Sequence, residues 1–399
     1  MNPSGRYVLV LVLAVGCSAR DIVASSGSGG GSALPSYCTG TGPPVLVGDG
    51  ITVGESDGSG EDICTGTIAV RTFVRALCTC EAYVASTPLV TDSYDSAAGP
   101  YMPGGTTGDV GIDDLVQASA QLQIGGAFVI AGAAGAALLA DLHVAHDLAV
   151  GGHLGSGVAV TAGGDAQIAG NIDLASLTVA GTLTVPSSST IAGTVTASST
   201  VRAPVTVMPP CACGDSDLVD IPAFVADHAT DNQDALIDLS PDRLTGYQGD
   251  MTLDLPCGIY YLGPVHGNGT LTLRITGRVA LLVSGDMMLS APFNVVLATD
   301  DAELDLMVSG LLSSNQAMTI GRADHPSRTR VYIGGTGTID LSGDSSIASN
   351  IYAPRAAIAL SGTTTIYGSL FVRRLDQAAP VTIHYDVDIR RADVACPIM

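Results

Sequence analysis

The amino-acid sequence predicts an all-β protein: a parallel β-helix or β-solenoid with a small disulfide-bearing N-terminal module and a Cys-containing insert. Three observations predict it. Apolar residues recur at six-residue spacing between residues 142 and 191. Short runs of strand character return after residue 263, most of them bounded by Gly, Asn, Asp or Ser. Eight of the nine cysteines form two groups of four that flank a cysteine-free stretch.

At the N-terminus, Tyr7 to Val15 reads YVLVLVLAV behind a single positive side chain, Arg6. The run is shorter than the roughly 20 residues a membrane-spanning helix needs, and it fits the apolar stretch of a cleaved secretory signal. The string Leu13-Ala14-Val15-Gly16-Cys17 resembles the lipobox of bacterial lipoproteins, with Ala14 where that family usually has Leu. The resemblance implies that residues 1–17 are a signal peptide whose Cys17 is acylated. It also implies that Ser18, in place of Asp, sends the chain to the outer membrane, facing the periplasm or the cell surface. Residues 18–36, with SSGSGGGS at Ser25 to Ser32, form a flexible tether.

With Cys17 given to the lipid, Cys38, Cys64, Cys78, Cys80, Cys211, Cys213, Cys257 and Cys396 remain. An even number in an exported chain points to disulfides. Cys78-Thr79-Cys80 and Cys211-Ala212-Cys213 are too tight to bridge internally without strain, so their members reach distant cysteines. Structural zinc sites favour wider C-x2-4-C knuckles. Residues 37–105 make up a Cys-containing module, in which Thr67 to Val74, TIAVRTFV, alternates like a strand.

Residues 106–207 are the periodic stretch. Leu142, Leu148, Leu154, Val160, Ala166 and Ile172 form one column, and Val144, Val150, Ser156, Ala162, Ile168 and Leu174 a second. After a one-residue slip the pattern resumes at Leu177/Val179, Leu183/Val185 and Ile191. A helix would place apolar residues at i+3 and i+4. Six-residue spacing with Gly turns fits short strands, each supplying one side of a coil that buries its apolar face only by stacking. Residues 208–262 interrupt the pattern as an insert, with a short helix after Asp220 as cap and Pro222 in its first turn.

In residues 263–399 strands return as LTLRIT at Leu271 to Thr276, VALLVSGDMML at Val279 to Leu289, and an echo 24 residues on, ELDLMVSGLL at Glu303 to Leu312. Coils on the order of 20 residues fit a parallel β-helix. The columns of 142–191 resemble bactofilins and other polymer-forming β-helical proteins. The strings Asn350-Ile351-Tyr352-Ala353-Pro354-Arg355-Ala356, Leu360-Ser361-Gly362, Tyr367-Gly368 and His384-Tyr385-Asp386 resemble a C-terminal domain of unknown function in bacterial exported and pilus-associated proteins. The wider frame of residues 208–399, with Pro210-Cys211-Ala212-Cys213-Gly214 and Pro256-Cys257-Gly258, is similar to proteins of myxobacterial type. The resemblance implies a β-solenoid at the cell surface and carries no catalytic residues. Physically, Gly362 would supply a corner with positive φ, Asn350 a turn or left-handed residue, and Pro354 a bend.

A net charge of −22, with sixteen Arg and no Lys, excludes a nucleic-acid partner, whose phosphates need a basic footprint. Few aromatics and no Trp disfavour a sugar-binding platform. Thr230-Asp231-Asn232 faintly resembles a string of pectate-lyase-like β-helices, but the G-D-G that precedes it there is Asp227-His228-Ala229 here. His143, His146 and His153 lie close in sequence, yet His143 and His146 would point to opposite faces of a strand. The acidic clusters Asp300, Asp301, Glu303, Asp305 and Glu55, Asp57, Glu61, Asp62 match no calcium loop and are read as solvated. The expectation is a non-catalytic structural or adhesin-like envelope lipoprotein without metal or cofactor. Its partners would be the membrane, through the lipid, and envelope polysaccharide or surface proteins. The competing class is a carbohydrate-active β-helix enzyme, and the third is a surface binding module. A disulfide-bearing module at the N-terminal side argues for a capped monomer.

Overall fold

The computed structural model describes residue 38, residues 45–47 and residues 62–395. Cys17, Cys396, the expected signal peptide and tether of residues 1–36, and Glu55, Asp57 and Glu61 of the acidic cluster near the N-terminus lie outside them. The described residues build a parallel sheet of 33 strands wound as a solenoid of three sides. Six-residue spacing is the length of one side. Leu142 therefore pairs with Val160, Leu148 with Ala166 and Leu154 with Ile172, each eighteen residues on. All six residues of the first column are buried. In the second column Ser156 turns out at a corner with φ 122°, and its strand shortens to Leu154–Gly155.

The order of coils along the stack is not the order of the chain. Residues 245–386 stack first, from Thr245–Tyr247 to Val381–Asp386. The next coil is formed by Leu77–Thr79, Tyr83–Ala85 and Leu89–Tyr94, from the N-terminal module. Residues 110–202 follow, ending at Ile191–Arg202. Both solenoid stretches thus form one stack, and the module is its middle coil. Its strands of residues 77–94 lie inside the stack, while Cys38, at its start, is bonded to Cys257 of the first coil. The 245–262 part of the insert also belongs to the stack.

Burial distinguishes the sides. On the side here termed A, Arg278–Val283 and Thr329–Ile333 are buried at every position. On sides B and C, strands such as Met287–Leu289 and Phe293–Leu297 alternate. Continuous burial marks a sheet covered on both faces, and side A carries an outer layer. One part is helix α1 (Thr65–Thr72), where a strand was expected. Thr65, Ile68, Ala69, Thr72 and Phe73 are buried at i, i+3, i+4, i+7 and i+8, a helical stripe hidden within an alternating one. Phe73 then packs on Tyr332 and Tyr352, with ring centroids 5.9 and 6.5 Å away.

The other part is the segment that returns from Arg202. Along side A, Arg202 lies six strand spacings from Cys78, roughly 29 Å at about 4.8 Å each. The nine residues to Cys211 reach about 30 Å when extended, so this strap runs nearly straight down the side. It continues past Tyr352, whose hydroxyl accepts from Val219 N at 3.1 Å. It then forms helix α2 (Ile221–Asp227), where the Asp220 side chain accepts from Ala223 N and Pro222 occupies the first turn, as its sequence predicts.

Candidate functional site

The joint, where residues 77–94 meet the coil of residues 370–386, concentrates the polar chemistry of the described residues. Backbone pairing runs from Leu77↔Leu370 to Tyr94↔Asp386. Two buried polar groups fix its register. Gln377, inside the core, accepts from the Tyr83 hydroxyl at 2.6 Å and donates to the carbonyls of Thr87 and Pro88 at 3.1 and 2.7 Å. Asp386, 0% exposed, accepts from the Ser96 amide and hydroxyl at 2.9 and 2.6 Å. Burial pushes its carboxyl above the usual range, and the Ser96 hydrogen bonds partly offset that. Buried polar groups left unpaired are costly, so such pairs select one register.

The His384-Tyr385-Asp386 string lies in this joint. The Tyr385 hydroxyl donates to Phe73 O at 2.8 Å and accepts from Arg390. His384 Nδ1 lies 2.6 Å from Asp92 Oδ1. The Tyr101 hydroxyl donates to Asp92 Oδ2 at 2.6 Å, with its ring 4.0 Å from His384. Tyr94 and Tyr367 complete the cluster. A carboxylate on Nδ1 is the orienting half of a general-base dyad. Among the described residues, however, no hydroxyl or thiol nucleophile is hydrogen-bonded to His384, and Tyr101 lies against the ring.

Two disulfides lock the same region. Cys78 pairs with Cys211 and Cys80 with Cys213, tying the strap to the middle coil. Cys38 pairs with Cys257. Cys64 is also disulfide-bonded. Beside them Asp113 accepts from Cys211 N at 3.0 Å. Burial raises its carboxyl to about 6, against the opposing pull of that hydrogen bond and of Arg75. A carboxyl raised on folding is destabilising once ionised, so stability falls as pH rises from about 4, its unfolded value, to about 6. Asp113→Asn, which keeps the acceptor, is expected to flatten the melting temperature between those pH values and to raise it at pH 7. An unchanged pH–stability curve would refute the assignment.

Two open concavities flank the joint. A groove of about 560 Å³ crosses it on side B, walled by Val84, Ala118, Ala137, Leu139, Ala359 and Ala378. Asp376 is its acid, and Arg374 engages that carboxylate at 2.7 Å. A polar cleft of about 480 Å³ contains Cys80, Cys213, Glu81, Arg355 and Arg373.

Several expected features fall elsewhere. Thr230 to Asp234 sits at the start of the stack, where Asp234 accepts from Tyr261 N at 2.9 Å. His143 contacts Thr161 Oγ1 at 2.7 Å. Among the described residues no group of three or more His, Cys, Asp or Glu is placed to hold a metal ion.

The Asp300–Asp305 run is solvated in its first half, where Asp300 and Asp301 are exposed in a turn, and not in its second. Asp305 is fully buried and binds Arg330 Nε at 2.7 Å and Thr65 Oγ1 at 2.8 Å, because α1 covers side A there. Gly362 has no positive φ. A Cβ there would meet the Gly343 backbone at 2.4 Å, so close stacking of coils, not a left-handed corner, requires glycine. Asn350 is likewise extended, at the start of Asn350–Leu360, and donates to Pro326 O at 3.2 Å. The echo of Val279 to Leu289 pairs at an offset of 25 residues, Val279 with Leu304, which is the spacing of the two Val-Ser-Gly strings at Val283 and Val308 and one more than the 24 expected.

Asp92, Tyr101 and Gln377 were missed from sequence. Each acts on a residue about 290 positions away or on a loop folded over it, and no local pattern signals that. No curated protein and no solved structure matches the chain. Residues 219–392, from the end of the strap to the last described turn, match the family model of a domain of unknown function, DUF7305.

Proposed function

We propose that this protein is a non-catalytic structural element of the bacterial cell envelope. In this reading it is a stiff rod held to the outer membrane by a lipid on Cys17 and spaced from it by the tether of residues 18–36. The observation that carries the reading is the single stack. Thirteen strand levels along side A make a body about 58 Å long. The joint, the strap and the disulfides bind its two halves together. Such an assembly spends its buried polar groups and cysteines on rigidity. Its accessible concavities include an apolar groove and a small cleft.

Residues 33–399, produced in an oxidising compartment, would be offered a panel of bacterial and plant polysaccharides, and both binding and new reducing or unsaturated ends would be read. The expected result is no release of ends. Binding without cleavage would narrow the role to an adhesin or matrix protein. Release of ends that Asp376→Asn abolishes would overturn the reading and make the side B groove the cleft of a carbohydrate-active enzyme.

A further inference from the structure

The two ends of the stack differ, and the difference points to a partner. At the 245–262 end the edge of Gly258–Leu262 is occupied. Gln233 N donates to Ile259 O, the Gln233 side chain accepts from Ile259 N, and Asp234 accepts from Tyr261 N. Leu239 and Leu244 are buried over that coil.

At the other end, the strand Ile191–Arg202 pairs on one edge with Ile172–Val185 and, among the described residues, with nothing on the other. The core is open here. Ile172, Leu177 and Val179 are at most 2% exposed, whereas their partners one coil up, Ile191, Val195 and Ala197, are only half-buried. Val201 is 43% exposed. Solenoid ends and free edge strands are normally blunted by a polar cap, charge or proline. None interrupts IAGTVTASSTV. Its one cation, Arg202, turns back onto the carbonyls of Pro186 and Ser189.

Charge decides what fits. The chain carries −22 overall, yet no Asp or Glu occurs between Asp173 and Asp215. This end is therefore a neutral patch on a strongly acidic body, where a second copy approaches without the like-charge repulsion that opposes contact elsewhere. Because Gln233 and Asp234 occupy the Gly258–Leu262 edge of the opposite end, a second copy cannot seat a full coil there head to tail. A like-to-like contact about a two-fold axis remains, and it closes at two. We infer that the Ile191–Arg202 ends of two copies dock tail to tail. One side of the last coil pairs antiparallel with the same side of its copy, and each end covers the other's open core.

The inference rests on the stack alone and holds whether or not the rod reading does. If both hold, the dimer doubles the rod. The test is the molar mass of residues 33–399 by light scattering over a dilution series, with amide hydrogen exchange followed in parallel. Expected are twice the chain mass and concentration-dependent protection confined to amides 191–202. Thr196→Lys with Ser199→Lys, at exposed positions, should return the mass to one chain with an unchanged melting temperature. A monomer at every concentration would overturn the proposal. So would a dimer that the lysine pair leaves intact and whose protection lies elsewhere.

Discussion

Removing both strap disulfides, by replacing Cys78, Cys80, Cys211 and Cys213 with alanine, lowers the melting temperature by on the order of 10 °C. Removing either pair alone lowers it by only about 3 °C. The asymmetry follows from connectivity. The first bridge closes a loop with a sequence separation of 133, about 5 kcal/mol of unfolded-state entropy. Once it exists, the second closes a ring of only a few residues, about 2 kcal/mol. Either bridge can be the one that closes the long loop, so the two single effects sum to far less than the joint effect. Calorimetry of the four proteins under non-oxidising, non-reducing conditions checks this. Single effects as large as the joint one would mean that both bridges act through local geometry, and that the strap is not held by loop closure.

The second large effect lies under α1. Arg330, 1% exposed, donates to Asp305, Glu303 and the Ser327 carbonyl. Burial works against its charge, but Asp305 and Glu303 outweigh that and raise its pKa above the ordinary value. Asp305 meanwhile holds Thr65 at the start of α1. Arg330→Met leaves a buried carboxylate without its cation and is expected to cost about 3–5 kcal/mol. Asp305→Leu combined with Arg330→Met is expected to recover most of that loss, since an apolar pair of similar volume needs no compensation. Denaturant unfolding of the single and double variants reads the difference. A double variant no more stable than Arg330→Met would show that the ion pair itself, and not the avoidance of an orphaned charge, holds the outer layer.

Legibility from sequence tracks the range of the interaction that makes each element. The columns at Leu142 to Ile172 are legible because each strand repeats its inward residues at the length of a side. The Asp220–Pro222 helix start is legible because a cap is decided within four residues. TIAVRTFV misled because it satisfies two periodicities at once, and the covered face of side A selected the helical one. Asp305, in the acidic run, misled for the same reason: its burial depends on α1, more than 200 residues earlier. The polar joint was invisible, since Asp92 and His384, or Tyr83 and Gln377, meet only when coils far apart in the chain become neighbours.

By itself, then, the sequence determined a parallel coil, its phase, one helix cap and the need of each C-x-C cysteine for a distant partner, since all of these are settled within one coil or by the spacing of neighbouring residues. The tertiary structure alone decided the order of the coils, with residues 77–94 placed between the two halves, the strap on side A and one end left open among the described residues. Any coil with matching inward residues can stack on any other, so the choice fell to long-range partners: the buried Tyr83–Gln377 and Ser96–Asp386 pairs, the disulfides to Cys211 and Cys213, and the reach of the nine residues after Arg202.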